Sequence, residues 1–172
     1  ATGIVLREFD TDEGTEELLL VGNKLLAANY NFGGSNTVSV IDLVTGSVNH
    51  VSVNAGPTSF AVDANDNIWV LCRGTNEANS AALVRLNKNS FELEKTISLP
   101  ESTGQDLAIS SDKSNLFFMA DGKVYRLSIN ANNAPENSFI ENEDLAVAYA
   151  LGVDPSTGNI WIGDAFNFTS DG

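Results

Sequence analysis

The sequence predicts an all-β fold of repeated four-stranded antiparallel sheets, and three observations lead to this prediction. First, an apolar motif recurs at residues 60–63, 107–110 and 151–154. Second, each copy precedes another short apolar run with an aromatic residue at one repeat position: Trp69, Phe117 and Trp161. Third, the apolar periodicity within these runs is that of strands, with no helical pattern. Repeats of about 40–45 residues made of short strands are typical of a β-propeller, in which each repeat is one blade.

The second repeat shows the strands of a blade most clearly. Its four strands are predicted at Ser59–Asp63, Asn67–Cys72, Ala82–Asn87 and Glu92–Leu99. The second of these is apolar on both faces, as expected for a strand between two neighbouring blades. Equivalent third and fourth strands are predicted at Thr37–Asp42, Ser47–Val53, Lys123–Asn130 and Asn137–Ile140.

The repeats define one propeller segment over residues 1–172. Blades are expected at residues 10–53, 54–99 and 100–140, with an incomplete blade at 141–172 and the end of a preceding blade at 1–9. Because propellers close with complete blades, we expect about four blades of a larger propeller of seven or eight. Trp69 and Trp161 are expected to be buried between blades, since they share one repeat position.

The composition excludes several classes of function. The chain has 23 acidic against 9 basic residues and a net charge of −14, which disfavours binding to nucleic acid. No apolar stretch has the length of a transmembrane segment. The single cysteine, Cys72, allows no intramolecular disulfide and lies in an apolar run, as a buried residue would.

Motifs for catalysis or metal binding are incomplete. Asp63–Asn67 begins like a calcium loop, but Ile68 and Gly74 occupy the positions that require Gly and Glu. The only histidine, His50, falls on an outer strand, and no nucleophile–base pair follows from the spacing. We therefore predict no catalytic residue, no metal site and no cofactor in this segment.

One family resemblance is carried by the first two repeats. The stretch Asn36–Gly46 (NTVSVIDLVTG), followed by Gly56-Pro57 and Ala61-Val62-Asp63, resembles the YVTN-type, surface-layer-like propeller repeat. The strand that names this family is altered here to Leu26-Ala27-Ala28-Asn29, which keeps only its Asn. The Asn-rich, Trp-bearing repeats also resemble those of secreted propeller lipoproteins of Bacteroidetes, some of which bind corrinoids. This resemblance implies an extracellular, outer-membrane-surface or periplasmic location, and an outer-membrane transporter as a partner.

Aromatic residues in the long loops on one face suggest a binding site. Exposed aromatic side chains on loops over a rigid scaffold are a binding signal, although they can instead fold back beneath their own loops. Gln105 and Tyr149 are expected at the channel mouth, just before the innermost strands. The candidate ligand-binding residues are Tyr30, Phe32, Arg73, Asn76, Gln105, Tyr149, Phe166 and Phe168.

Three functions remain open from the sequence. The favoured one is a non-catalytic binding module of a secreted or cell-surface protein, which captures a small ligand or a protein partner on the aromatic-loop face. The second is a lactonase- or lyase-like enzyme with its catalytic residues in other blades. The third is an interaction scaffold without a small-molecule ligand.

Overall fold

A computed structural model describes residues 3–75, 81–99, 103–145 and 147–166, with the backbone alone at 103–105. These residues form thirteen β-strands in four antiparallel sheets, and their only helical element is the 3₁₀ turn Asn31–Gly33. The predicted all-β architecture of repeated antiparallel sheets is therefore confirmed. In both complete sheets the strands are hydrogen-bonded in chain order, as in the blades of a propeller.

The first two sheets have four strands each. Sheet one contains β1 (Thr15–Val21), β2 (Lys24–Asn29), β3 (Thr37–Asp42) and β4 (Val48–Ser52). Sheet two contains β5 (Pro57–Val62), β6 (Ile68–Cys72), β7 (Ala82–Leu86) and β8 (Leu93–Ser98). The first strands of successive sheets lie side by side, so that β1 and β5 are the inner strands.

The other two sheets have fewer strands among the described residues. Sheet three contains β9 (Thr103–Ile109), β10 (Asn115–Ala120) and β11 (Lys123–Ser128), and sheet four contains β12 (Ala148–Val153) and β13 (Ile160–Asp164). The strand predicted at Asn137–Ile140 is reduced to a single bridge between Ile140 and Val124. Ala131 and Ala134 pack against the cluster between sheets two and three, so the chain turns away from β11 before it returns at Ile140.

Apolar clusters between neighbouring sheets form the core. In β6 the residues alternate: Ile68 and Val70 pack against sheet one, whereas Trp69 and Leu71 pack against sheet three. All five residues of β6 are buried. The two-residue period of a strand explains why β6 needs apolar residues at every position when it has a sheet on each side. The third cluster joins sheets three and four through residues such as Phe117.

A side chain on each inner strand also joins one sheet to the next. The Glu17 carboxylate accepts a hydrogen bond from the Phe60 amide at 2.8 Å. The equivalent bonds run from the Leu107 amide to Ser59 Oγ at 3.1 Å and from the Leu151 amide to Asp106 Oδ2 at 2.9 Å. We call these three bonds the inter-sheet clasps. On β12 the equivalent residue is Ala150, which has no side-chain acceptor.

The calcium-like motif is a hydrogen-bonded turn between β5 and β6. The buried Asp63 carboxylate accepts bonds from the Asn65 amide at 2.8 Å, the Asn67 amide at 3.0 Å and the Asn67 side chain at 3.2 Å. Trp69 Nε1 donates a fourth bond to it, at 3.0 Å. Because three donors of its own turn and a fourth from β6 already bond to it, Asp63 acts here as the structural centre of the turn.

The two tryptophans do not have equivalent surroundings, and the prediction of burial is correct only for Trp69. Trp69 is fully buried, whereas Trp161 is 66% exposed. In sheet four, Ile160 and Ile162 face sheet three, so the alternation of the strand places Trp161 on the opposite face. Trp69 and Phe117 each have a following sheet to cover them, but no described residues form a sheet beyond β13.

The N-terminal segment runs along sheet one without forming a strand. Arg7 Nη1 donates to the Leu43 carbonyl at 2.6 Å. Further along, the Asp12 amide bonds to Ser39 Oγ at 3.4 Å, and Thr37 donates to the Asp12 carboxylate. These contacts tie residues 7–12 to β3 and the turn that follows it.

We predict different costs for removing the two tryptophans. Trp69→Ala should lower the free energy of unfolding by about 3–5 kcal/mol, because it leaves a cavity between sheets two and three. Trp161→Ala should cost less than about 1 kcal/mol in this chain, because the side chain is mostly in solvent. Urea titrations would measure both values, and equal losses would contradict the arrangement. In a Trp69→Phe variant, Trp161 is the one remaining tryptophan. A fluorescence emission maximum close to that of tryptophan in water would confirm the exposure of Trp161.

A second prediction concerns the turn at Asp63. Asp63→Asn should cost about 2–4 kcal/mol, because it weakens several charge-assisted hydrogen bonds and places an amide group opposite the buried Trp69 N–H. Asp66→Asn is the matched control, because the exposed Asp66 carboxylate makes only a surface ion pair with Lys88 Nζ, at 3.4 Å. Loss of this ion pair should cost less than about 0.5 kcal/mol. Chemical denaturation of both variants tests the difference, and a similar loss in the two would show that Asp63 does not organise the turn.

Candidate functional site

Two loops meet at one end of sheets one and two and form a surface depression. One loop joins β2 to β3, the other follows β6, and the antiparallel strand order puts both at the same end of their sheets. The depression has a volume of about 300 Å³. Its lining residues are Tyr30, Phe32, Gly33, Gly34, Arg73, Gly74 and Thr75.

An arginine and two aromatic rings form the polar and apolar parts of this depression. Arg73 Nη1 donates a hydrogen bond to Tyr30 Oη at 3.0 Å, and the guanidinium carbon lies 5.4 Å from the Tyr30 ring centroid. The rings of Tyr30 and Phe32 are tilted by 49° with centroids 6.0 Å apart. Arg73 is half-buried, and its hydrogen bond and cation–π contact with Tyr30 hold the guanidinium in place. A flat apolar surface thus lies next to a fixed cation.

Glycine at position 56 lets the two loops come this close. Gly56 has φ +67°, and a Cβ atom there would lie 2.8 Å from the Gly74 carbonyl oxygen and 3.4 Å from the Tyr30 ring. The Arg73 amide donates to the Gly56 carbonyl at 2.8 Å. The Gly-Pro pair of the sequence repeat therefore has a local reason, because any side chain here would separate the loops.

Phe32 is both exposed and held in an uncommon backbone conformation. Its side chain is 94% exposed, and its φ is +51°. Asn31 before it has φ +40°. A bulky residue with positive φ stores local strain, and such strain is concentrated at functional sites. The Tyr30 amide anchors this turn by bonding to the Gly14 carbonyl at 2.9 Å.

Three of the eight candidate residues line the depression together: Tyr30, Phe32 and Arg73. Asn76 and Phe168 lie outside the described residues, as does the side chain of Gln105. Phe166 is about half exposed and has φ +53°, but it does not line the depression. Gln105 and Tyr149 lie within β9 and β12, not before them, because both inner strands begin earlier than the apolar pattern indicates. Tyr149 is 44% exposed.

The carboxylates of the inner strands were missed by the sequence analysis. Burial raises the pKa of Glu17, while hydrogen bonds from the Ser59 side chain and the Phe60 amide oppose this rise and the charge of Asp106 adds to it. Ser59 thus donates to Glu17 and accepts from Leu107. The sequence feature that could have predicted these contacts is a polar residue directly before each inner apolar motif, at Glu17, Ser59 and Asp106. These groups join the sheets and assemble no nucleophile with a base.

The remaining reactive side chains have structural surroundings. Burial raises the pKa of the Cys72 thiol to about 12, so the thiol is inert near neutral pH. His50 lies on the outer strand β4, with Nδ1 3.1 Å from Ser39 Oγ and 3.5 Å from the Asp12 carboxylate. The described part of the chain has no group of three or more His, Cys, Asp or Glu placed to hold a metal ion. It also lacks any helix whose length and apolar character suit a membrane span.

Comparison with solved structures supports the propeller fold. A WD40 β-propeller domain of Doa1 matches 68% of the chain with a TM-score of 0.53 and 12% identity. Hydrazine synthase of Kuenenia stuttgartiensis matches 77% of the chain with a TM-score of 0.59 and 19% identity. The chain spans 37% of the length of each of these proteins. No protein-family model and no curated protein sequence matches it. At these identities the likeness concerns the fold alone: the chain forms part of a β-propeller.

The half-buried carboxyl group of Glu17 leads to a pH-dependent prediction. Because the pKa of Glu17 is raised in the folded state, its favourable contribution is fully present below its unfolded pKa and is lost as the pH rises through its folded pKa. Glu17→Gln keeps an acceptor for the Phe60 amide and removes the charge. As the pH rises from about 4 to about 7, the free energy of unfolding of this variant should increase relative to that of the unaltered protein. The increase should be less than about 1 kcal/mol, because solvent screens the partly exposed carboxylate.

Urea unfolding of both proteins at the two pH values measures this difference. Asp112 and Asp154 have exposed carboxyl groups whose pKa is lowered to about 2 by hydrogen bonds from neighbouring Ser and Thr residues. Their stabilising effect is lost only in stronger acid and is common to both proteins, so it cancels. A difference that is constant with pH, or that has the opposite sign, would show that Glu17 is not desolvated.

Proposed function

We propose that this propeller segment is a non-catalytic binding module and that the depression at Tyr30, Phe32 and Arg73 contacts its ligand. The observation that carries the proposal is the joining of a strained, almost fully exposed Phe32 to an Arg73–Tyr30 pair. Aromatic and arginine side chains dominate the energetics of binding surfaces because they offer large apolar area and directional donors. Preformed contacts between them lower the entropy cost of binding.

The chemistry of the depression favours a planar ligand with an anionic or carbonyl edge, presented by a small molecule or by a partner loop. A flat ring system would stack on Phe32 or Tyr30, and its polar edge would accept a hydrogen bond from Arg73. A volume of about 300 Å³ accommodates part of a large ligand. We expect Asn76, Gln105, Tyr149, Phe166 and Phe168 to extend this surface.

The family resemblance suggests a more specific form of the proposal. Similarity to YVTN-type repeats and to Bacteroidetes propeller lipoproteins favours a secreted, outer-membrane-surface or periplasmic protein. By the same resemblance the ligand class includes corrinoids, which are large planar ring systems, and the partner includes an outer-membrane transporter. The strong negative net charge suits a soluble, exposed domain.

Titration with a corrinoid and with a panel of planar polycyclic anions tests the proposal. Phe32→Ala and Arg73→Ala should each weaken binding of the responsive probe by about tenfold or more, since truncation of one anchor typically costs 1–2 kcal/mol. Phe32 belongs to no inter-sheet cluster, so Phe32→Ala should keep the thermal midpoint, and the midpoint of Arg73→Ala separates a loss of binding from the loss of the Arg73–Tyr30 contact. Calorimetry or fluorescence would give the affinities.

Variants on the opposite end of the sheets serve as controls. Asn65→Ala, Asp66→Ala, Ser156→Ala and Thr157→Ala change short polar turns and should leave the affinity within about twofold of the unaltered protein. If the two sets lose affinity equally, or if only the second set does, the binding surface lies elsewhere. Lack of binding by every probe at concentrations near 1 mM (about −4 kcal/mol) would leave the scaffold function as the better description.

A further inference from the structure

The outer edge of sheet three is unlike the outer edges of sheets one and two. In those sheets a fourth strand, β4 or β8, pairs with the third strand over five residue pairs. In sheet three, β11 has only the bridge between Val124 and Ile140 at its beginning. Among the described residues, none pairs with residues 125–128 of β11 as a fourth strand does in sheets one and two.

The open edge carries backbone groups that are ready for pairing. The Val124 amide donates to the Ile140 carbonyl at 3.0 Å, so Val124 directs its backbone polar groups away from β10. Alternation along an antiparallel strand gives Arg126 and Ser128 the same direction. The Ser128 carbonyl accepts from Ala131, whereas the backbone groups of Arg126 have no hydrogen-bond partner among the described residues. Both residues are exposed, and the Arg126 guanidinium carbon lies 4.4 Å from the ring centroid of Phe139, the residue before the bridge at Ile140.

A groove lies beside this edge and continues the apolar contact between sheets two and three. Its volume is about 780 Å³, and it runs between β8, Tyr125 of β11 and the loop around Pro135. Ile97, Leu99 and Ala134 line it and also belong to the apolar cluster that joins the two sheets. A strand added to β11 would place alternate side chains in this groove, where they would extend an existing apolar interface.

We propose that β11 binds an extended peptide of a partner protein as a fourth strand, with alternate side chains in the groove between β8 and β11. Main-chain hydrogen bonds to Arg126 and Ser128 would provide affinity, and the groove would provide specificity, as in other cases of strand addition. This site is separate from the depression at Tyr30 and Arg73. The occupant is expected to be an uncharged extended segment with apolar alternate residues, because Ile97, Leu99 and Ala134 line the groove, a basic residue opposite Arg126 would be repelled, and the net charge of −14 disfavours an acidic peptide.

Pairing between two copies of β11 is disfavoured. A symmetric antiparallel pair centred on Arg126 would place the two Arg126 side chains opposite each other, and like charges opposite each other destabilise a sheet. The net charge of the chain opposes self-association further. A partner peptide therefore fits this edge better than a second copy of the chain.

A peptide that the fold already uses as a fourth strand is a suitable probe. A fluorescein-labelled peptide with the sequence of residues 47–53 (SVNHVSV) contains β4, and fluorescence anisotropy with the full chain measures its binding. The matched control peptide carries N-methyl groups on the alternate amides that would pair with β11. We expect saturable binding of the first peptide and binding about tenfold weaker, or weaker still, for the second.

Variants at Arg126 separate backbone pairing from side-chain effects. Arg126→Pro removes the outward N–H and leaves the bonds to β10, which use neighbouring residues, so it should fold and weaken binding by about tenfold. Arg126→Ala keeps the N–H and should bind within about twofold of the unaltered protein. Slower hydrogen exchange at the Arg126 and Ser128 amides with bound peptide would support the same site.

Three results would overturn the proposal. They are the absence of saturable binding, equal binding of the plain and N-methylated peptides, and concentration-dependent dimerisation that Arg126→Pro abolishes. If Arg126→Pro does not fold, the comparison of the two peptides and the exchange of the two amides decide the question.

Discussion

A sheet with apolar residues on both faces is stable only between two neighbours, and this constraint shapes the rest of the molecule. β6 illustrates it, since Ile68 and Val70 contact sheet one while Trp69 and Leu71 contact sheet three. Neither face could be exposed without leaving large apolar side chains in water. The sheets must therefore be stacked face to face, and they follow chain order with the inner strands of successive sheets side by side. The side-chain alternation of each strand decides which neighbour each residue meets.

Polar groups determine the register within this apolar stack. The side-chain oxygens of Glu17, Ser59 and Asp106, which form the inter-sheet clasps, accept hydrogen bonds from backbone amides of the next inner strand. A buried backbone N–H group needs such an acceptor. Asp63 does the same within its own turn and fixes the Trp69 indole. Apolar contact provides most of the stabilisation, but it is non-directional. The hydrogen bonds provide the direction, and so the position of one sheet relative to the next.

The candidate sites arise where this scaffold allows departures from its repeat. The loops at Tyr30 and Arg73 lie beyond the ends of the strands, so they are free to hold an exposed aromatic residue and a strained backbone. Among the described residues, the fourth strand of sheet three is reduced to one bridge, so most of the edge of β11 has no paired strand there. In both places the regular sheets hold the surrounding residues rigidly, which gives an irregular feature a defined shape.

The sequence alone determined the all-β repeat, most of the strands and the burial of Trp69, because each of these follows from local periodicity and from the position of a residue in the repeat. It also indicated that Tyr30, Phe32 and Arg73 belong to loops on one face. Only the tertiary structure decided that these three residues meet, that Glu17 contacts Phe60, and that Gln105 lies within a strand. Trp161 gives the physical reason. It has the same repeat position as Trp69, yet it is exposed, since burial depends on whether another sheet covers that face and not on the residue itself.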